Sequence, residues 1–494
     1  MNDWERFAAS NQVKVNGAKM DIAIINSWLI TFRDLQLGII PNGGLGIENG
    51  KFSFVGSMND FSYQAADRII DATNHVTLPG LVNAHVHTKY ALLRGAAQDL
   101  PEIEWMNKGI GPFALHMTQA DALAGSKLGV LEGLRSGTTT FAEYAHNVAQ
   151  VVEDVYQPFR TRVVATEVIN EVSRNRSQLK PTDLYEFDRS QGEEALRRTE
   201  ELIKRFGRQD IVSCHYGPQA LDMISMELLK VIREEAEAKN TRMHMHIAQG
   251  GRERLQIQGR YGKDASTVKV LSKHELLDEY LLAAHCHDTD EHERELMVQR
   301  AVKLVGCPSS IGMIDGIVPP IGHYLELGGV AALGSDQAPG PGHHNMFREM
   351  CTASLLTKTL LRDPTVLPAW QALQLGTIGG ARFLGLDDKI GSLKVGKQAD
   401  IITVDFRRAH LAPLVAKPFH NFIPNLVYSS MGTEVDNVII QGQPIMLDGI
   451  FVEIDEQAIV TEANRRAERI FEEATEDWTK AGSKLVRDVK EGRL

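Results

Sequence analysis

Long apolar runs are missing from this chain. No stretch of 18 consecutive apolar residues occurs in its 494 residues, so no membrane-spanning helix is expected. Cysteine is scarce. There are four, Cys214, Cys286, Cys307 and Cys351, with no CxxC spacing and three of them inside apolar, strand-like runs. No disulfide framework is expected, and buried reduced thiols in a cytoplasmic protein are. Basic clusters are also lacking. The 53 Lys and Arg are dispersed among 64 Asp and Glu, and the net charge of −11 argues against nucleic acid or an anionic membrane as partner. The amino-terminal MNDWERFAAS has no basic start followed by an apolar stretch, so no signal peptide is expected. Ser309 and Ser310, in CPSSIG, lack the GxSxG elbow of a serine hydrolase. The glycines of PNGGLGIENG are not followed by a helical pattern, which excludes a phosphate loop.

What is present is ordinary soluble composition: 43% hydrophobic and 24% charged residues, enough for a large core. Residues 20–78 read as short strands broken by turns. From about residue 79 the texture changes. Eight short apolar runs, GLVNAHVH, GTTTFAEY, RVVATEVIN, DIVSCHYGP, RMHMHIAQ, LLAAHCHD, VKLVGCPSS and GVAALGSDQ, are separated by helical or irregular crossovers. That alternation predicts an α/β fold, a (β/α)8 barrel over residues 79–384, with polar residues gathered at the carboxyl ends of the strands. Strand patterns return after residue 385. Residues 20–78 and 385–454 are therefore expected to form a small composite β-sandwich from both chain ends. In the tail, residues 455–494, Ile459, Ala463, Ala467, Ile470 and Ala474 share one face of an amphipathic helix.

The chemistry gathers at the strand ends. His85 and His87 form an HxH, and residues two apart on a strand point the same way. His244/His246 and His285/His287 repeat the pattern, and Asp336 closes the last strand in GSD. Imidazole and carboxylate from separate strands suit zinc and its first-row neighbours. Other candidates are open to two readings. Trp105, in LPEIEW, could stack on a flat substrate or pack in the core. His343 and His344, in GPGHHNMF, could line the site's mouth or sit on an exposed loop. His215 and His287 accompany the active strands with no assigned task, and His292 suits a solvated helix start.

The ordered set LPGLVNAHVH, HMHIAQ, AAHCH, GSDQAP and IGSLKVGKQADIITVD resembles the amidohydrolase superfamily. The nearest branch holds cytosine deaminase, the adenosine-derivative deaminases and the s-triazine hydrolases. The resemblance spans roughly residues 20–450. It implies a barrel with a composite β domain, and one divalent ion on His85, His87, His246 and Asp336. Zinc is the first expectation, and iron, manganese and cobalt accept the same donors. It further implies that Asp336 takes and returns the proton, and that His285 contacts the activated water or the substrate. No lysine ends the fourth strand, SCHYGP, which favours a single ion. A homo-oligomer acting on a small molecule is expected.

Two positions depart from the resembling deaminases. Where these typically carry glutamate in HxAE, the chain has Gln249. Where they tend to read GPHAP, it has Gln219. An amide cannot shuttle a proton. The expected reaction is therefore hydrolysis of a C–N bond in a small amide, urea or (thio)carbamate, with Gln249, Gln219, Trp105 and His344 touching substrate. The alternative is an aminohydrolase or chlorohydrolase of a nitrogen heterocycle such as an s-triazine, pyrimidine, purine or pterin. A catalytically dead scaffold is disfavoured, because no ligand is missing.

Overall fold

The computed structural model describes residues 20–172, 183–207 and 209–494; MNDWERFAAS lies outside them. Strands β1 (Ile22–Ile30), β2 (Ile39–Glu48), β3 (Lys51–Ser57), β4 (Arg68–Asp71) and β5 (His75–Pro79) come from the amino-terminal part. They precede eight barrel strands: β6 (Leu81–Val86), β7 (Thr138–Ala145), β8 (Arg162–Ile169), β9 (Val212–Pro218), β10 (Met243–Ile247), β11 (Leu281–His285), β12 (Lys303–Gly306) and β13 (Ala331–Leu333). Four more follow, β14 (Ile401–Asp405), β15 (Val435–Ile440), β16 (Gln443–Leu447) and β17 (Ile450–Phe451).

The barrel strands run parallel in the order β6 to β13. Most are buried along their whole length, as expected when helices cover the outside and side chains fill the interior. The last seam is closed by a parallel bridge between Val86 and Asp336. There the His87 amide donates to the Asp336 carbonyl (2.9 Å), and the Asp336 amide to the His85 carbonyl (3.0 Å). The backbone that closes the barrel is thus the backbone that carries three of the expected metal ligands.

Strands from the two chain ends join in one nine-stranded sheet, in the order β17-β16-β15-β14-β5-β1-β2-β3 with β4 beside β1. Antiparallel pairing of β14 with β5, from Ile401 opposite Pro79 to Asp405 opposite His75, stitches the late strands to the early ones. Arg162, at the start of β8, donates from Nε to Asp400 Oδ2 (2.6 Å) with both side chains 2% exposed, which ties this sheet to the foot of the barrel.

The carboxy-terminal helix Glu456–Ala481 buries Ala463, Ile470 and Ala474, three of the five residues predicted for its apolar face; Ile459 and Ala467 are half-buried. It packs on a cluster with Leu92, Ile110 and Phe113. Arg466 and Arg469 reach Asp121, in the first turn of the helix Gln119–Arg135. Among the described residues no helix is long and apolar enough to cross a membrane.

Candidate metal-hydrolase site

Each expected ligand has one atom fixed from behind, and the free atoms fall into two close sets that share His85. His85 is fully buried, and its Nδ1 lies 3.0 Å from His244 Nε2. Its Nε2 is buried without a hydrogen-bond partner. His87 Nδ1 donates to the Tyr144 carbonyl (2.7 Å). His246 Nδ1 donates to the Gln219 carbonyl (2.8 Å). These contacts set the tautomers so that Nε2 carries the free lone pair. Asp336 Oδ2 accepts from the Ser310 hydroxyl (2.6 Å), which leaves Oδ1 3.5 Å from His87 Nε2 and 3.8 Å from His85 Nε2.

That spacing fits a cation. Two ligands about 2.1 Å from a tetrahedral centre lie ~3.4 Å apart. Donor atoms of His85, His87 and Asp336 lie within 4.8 Å of one another, and so do those of His85, His246 and His285. Burial supplies the right protonation state. It drives His85 well down from the usual imidazole range, His87 to about 3 and His246 lower too, against the opposing pull of Asp336 on the last two. These three imidazoles are therefore neutral at neutral pH, and His85 Nε2 is a buried lone pair with nothing in the protein to satisfy it. The residues present fit a divalent ion. A third close set, His75, Asp405 and Asp436, lies in the nine-stranded sheet. Arg407 and Arg408 both pair with those carboxylates, which makes it an ion-pair network.

The backbone bends sharply where the strands deliver these groups. Ala248 (φ 47°), His285 (φ 76°), Cys286 (φ 53°) and Asp336 (φ 58°) all lie in the left-handed region. Such residues cost on the order of 1–3 kcal/mol each and persist where their surroundings hold them. Here Glu253 braces the turn after β10: its two carboxyl oxygens accept from the amides of Ala248 (3.1 Å) and Gln249 (2.9 Å).

The predicted substrate contacts divide. Gln249 is half-buried at this turn. Gln219 is half-buried too, its side-chain Oε1 accepting from Asn170 Nδ2 (2.6 Å). Trp105 and His344 are both buried. Trp105 is 6% exposed in the apolar cluster beneath the carboxy-terminal helix, and its Nε1 points at the Pro339 carbonyl, so core packing takes it up. His344 is completely buried, with Nδ1 on the Ser335 hydroxyl (2.9 Å), and lines no mouth. His343 is buried beside Glu349. His292 is exposed in the first turn of the helix Glu291–Gln299, as expected.

Sequence reasoning missed the support groups. Tyr144 acts through its carbonyl, which leaves no trace in side-chain type. Ser310 was weighed only as a nucleophile. Glu102, at the start of the short helix Glu102–Glu104, and Asp315, capping the helix Pro308–Ile314, lie near Gly250 with no sequence spacing to connect them.

A parallel barrel with imidazoles and a carboxylate at its carboxyl end has the donor types that a divalent ion takes. The sequence matches the Amidohydrolase family over residues 76–445. It is 34% identical to 5'-deoxyadenosine deaminase of Methanosarcina barkeri, over 91% of this chain and 98% of that protein. It is also 34% identical to 5-methylthioadenosine/S-adenosylhomocysteine deaminase of Desulforudis audaxviator, over 87% and 95% of the two chains. The fold is similar to the crystal structure of an adenosine deaminase from Xanthomonas campestris with bound zinc: TM-score 0.82, 26% identity, 91% of this chain and 98% of that one. This chain belongs to the amidohydrolase family and is a hydrolase of carbon–nitrogen bonds.

Proposed function

We propose that this protein is a metal-dependent aminohydrolase that removes an amino group from a nitrogen heterocycle of the adenosine-derivative kind. The observation that carries the reading is that His85 meets His87 and Asp336 in one close set and His246 and His285 in another, in a chain similar over nearly its whole length to deaminases. This replaces the amide, urea or carbamate expectation with its alternative, since all three likenesses above are deaminases by name. A divalent ion held by those four residues, zinc first, would supply the Lewis acidity that lowers the pKa of a water toward about 7. Asp336 turns one oxygen to the histidines and has the other fixed by Ser310. It is placed to take the proton of the attacking water and to return it to the departing amine. His285 is kept neutral by burial, and its Nδ1 is buried without a partner, ready to steady charge developing at the carbon under attack. With an amide at Gln249, Asp336 carries both proton transfers. The absence of lysine from β9 supports a single ion. A homo-oligomer acting on a small molecule belongs to the same proposal.

Gln249 and Gln219 favour a second reading, the acyclic amide, urea or (thio)carbamate, whose carbonyl needs no ring protonation. The test is metal-loaded enzyme given adenosine, 5'-deoxyadenosine, an amino-triazine and a phenylurea, scored for ammonia and for aniline. Ammonia from an amino-heterocycle, with kcat/KM well above that on the urea, is expected. Aniline release with no ammonia from any heterocycle overturns the first reading in favour of the second.

A further inference from the structure

At the end of the barrel opposite the metal donors, the amino ends of four successive strands border a cavity of about 290 Å³. Arg242 comes from just before β10, Glu279 from just before β11, Lys303 from the start of β12 and Val330 from just before β13. Small-molecule pockets span roughly 300–1,000 Å³, so this cavity suits a small occupant.

Two cations line it, and neither is paired. Arg242 Nη1 makes one long bond, to the Thr241 carbonyl (3.3 Å), and the guanidinium carbon lies 5.1 Å from the Tyr280 ring centroid. Its Nε is buried without a partner, and its Nη2 meets no acceptor among the described residues. Lys303 Nζ donates to the Arg382 carbonyl (2.7 Å). Among the described residues neither cation has a carboxylate within ion-pair distance. Arg233, over the same tyrosine ring at 4.0 Å, behaves otherwise: it is paired with Asp278 (2.5 Å) and Glu237 (2.8 Å). The two unpaired cations also feel each other. Burial, then Arg242, pushes the Lys303 ammonium below the usual lysine range; Arg382 adds to this, while Asp387 and Glu279 oppose it from a distance. Their field enters the barrel, where His215 on β9 is held at about 3 by burial and then by Arg242 and Lys303. Glu279 is the one carboxylate in the lining, and it is exposed.

We propose that Arg242 and Lys303 form an anion site at the foot of the barrel, which binds a phosphate-type oxyanion, either the free ion or the phosphate group of a small molecule. A guanidinium with unused N–H groups offers forked donors to such oxygens, and the neighbouring ammonium adds a point charge. The chain as a whole carries −11 and repels anions, so only local charge can hold one here. The site is separate from the metal centre and does not rest on the aminohydrolase reading.

The test is calorimetric titration of metal-loaded enzyme with inorganic phosphate, glycerol 3-phosphate and glycerol. Both phosphates should bind, and glycerol should not. Tighter binding of glycerol 3-phosphate assigns the site to an organic phosphate, and tighter binding of inorganic phosphate assigns it to the free ion; both bear out the site. Arg242→Gln and Lys303→Gln should each weaken phosphate binding at least about tenfold. Glu279→Gln, which removes the opposing charge from an exposed position, should strengthen it, an effect that damage to the fold would not produce. A wild type that binds neither phosphate, binding unmoved in both Arg242→Gln and Lys303→Gln, or binding weakened by Glu279→Gln overturns the site. Phosphate held at the metal centre would give the second of these results.

Discussion

Ser310→Ala tests whether the aspartate is held for chemistry. The carboxylate of Asp336 is 3% exposed, and Ser310, itself fully buried, donates to Oδ2 at 2.6 Å. Removing the hydroxyl leaves a buried oxygen short of a donor and lets the carboxylate rotate away from His85 and His87. A hydrogen bond to a charged group is worth about 1.5–3 kcal/mol net. At 1.36 kcal/mol per factor of ten, the loss is about 10- to 150-fold. It should divide between metal affinity, read by chelator competition, and kcat/KM at saturating metal. Ser309→Ala is the control. The Ser309 amide donates to Glu349 Oε2 (3.2 Å) and its hydroxyl faces the same carboxyl group, not Asp336. Ser310→Ala within twofold of wild type in both measurements would refute the assignment of Asp336 as a positioned base and ligand.

His246→Ala removes one of four expected ligands, so metal content by elemental analysis should fall and activity should be lost; near-wild-type turnover with full metal content would count against the site. Gln249→Glu restores a proton-carrying group beside the centre. Activity on an amino-heterocycle should rise, while activity on a phenylurea should fall by ~10-fold, about 1.4 kcal/mol, through repulsion of the developing oxyanion. A rise on both substrates would show that residue 249 does not set the reaction type. Glu349 is pushed from 4.5 up to about 8, chiefly by burial. A raised folded pKa means its stabilisation is complete below about 4.5 and is lost as pH rises through 8. Glu349→Gln stays neutral, so its melting temperature minus that of wild type should grow from pH 5 to pH 8 and level off above. A difference independent of pH would sink this account.

The barrel and the histidines at its strand ends were legible because both rest on local patterns. Period-two placement turns His85 and His87 to one side, and eight short apolar runs set the strand count. All eight appear as strands. Contacts made by backbone, or across loops, were not legible. Nothing in HMHIAQ says that His244 would end against His85 and not beside an ion, since both histidines of an HxH face the barrel interior. Trp105 misled because an aromatic near an active strand reads alike whether it faces a pocket or, as here, a helix that arrives more than 350 residues later. At His344 a glycine-rich loop suggests exposure, whereas this loop turns inward to meet Ser335, whose hydroxyl Asn83 also holds.

The two glutamines that set this chain apart occupy positions where the main chain and the side chain have separate duties. At 219 the carbonyl orients His246, a task any residue can perform. At 249 the amide is held by Glu253, again whatever the side chain. Both positions can therefore change their side chains without loosening a ligand, since the ligands' supports are backbone atoms, His244 and Ser310. A departure from the resembling deaminases at these two places therefore leaves the backbone supports of the expected ligands unchanged.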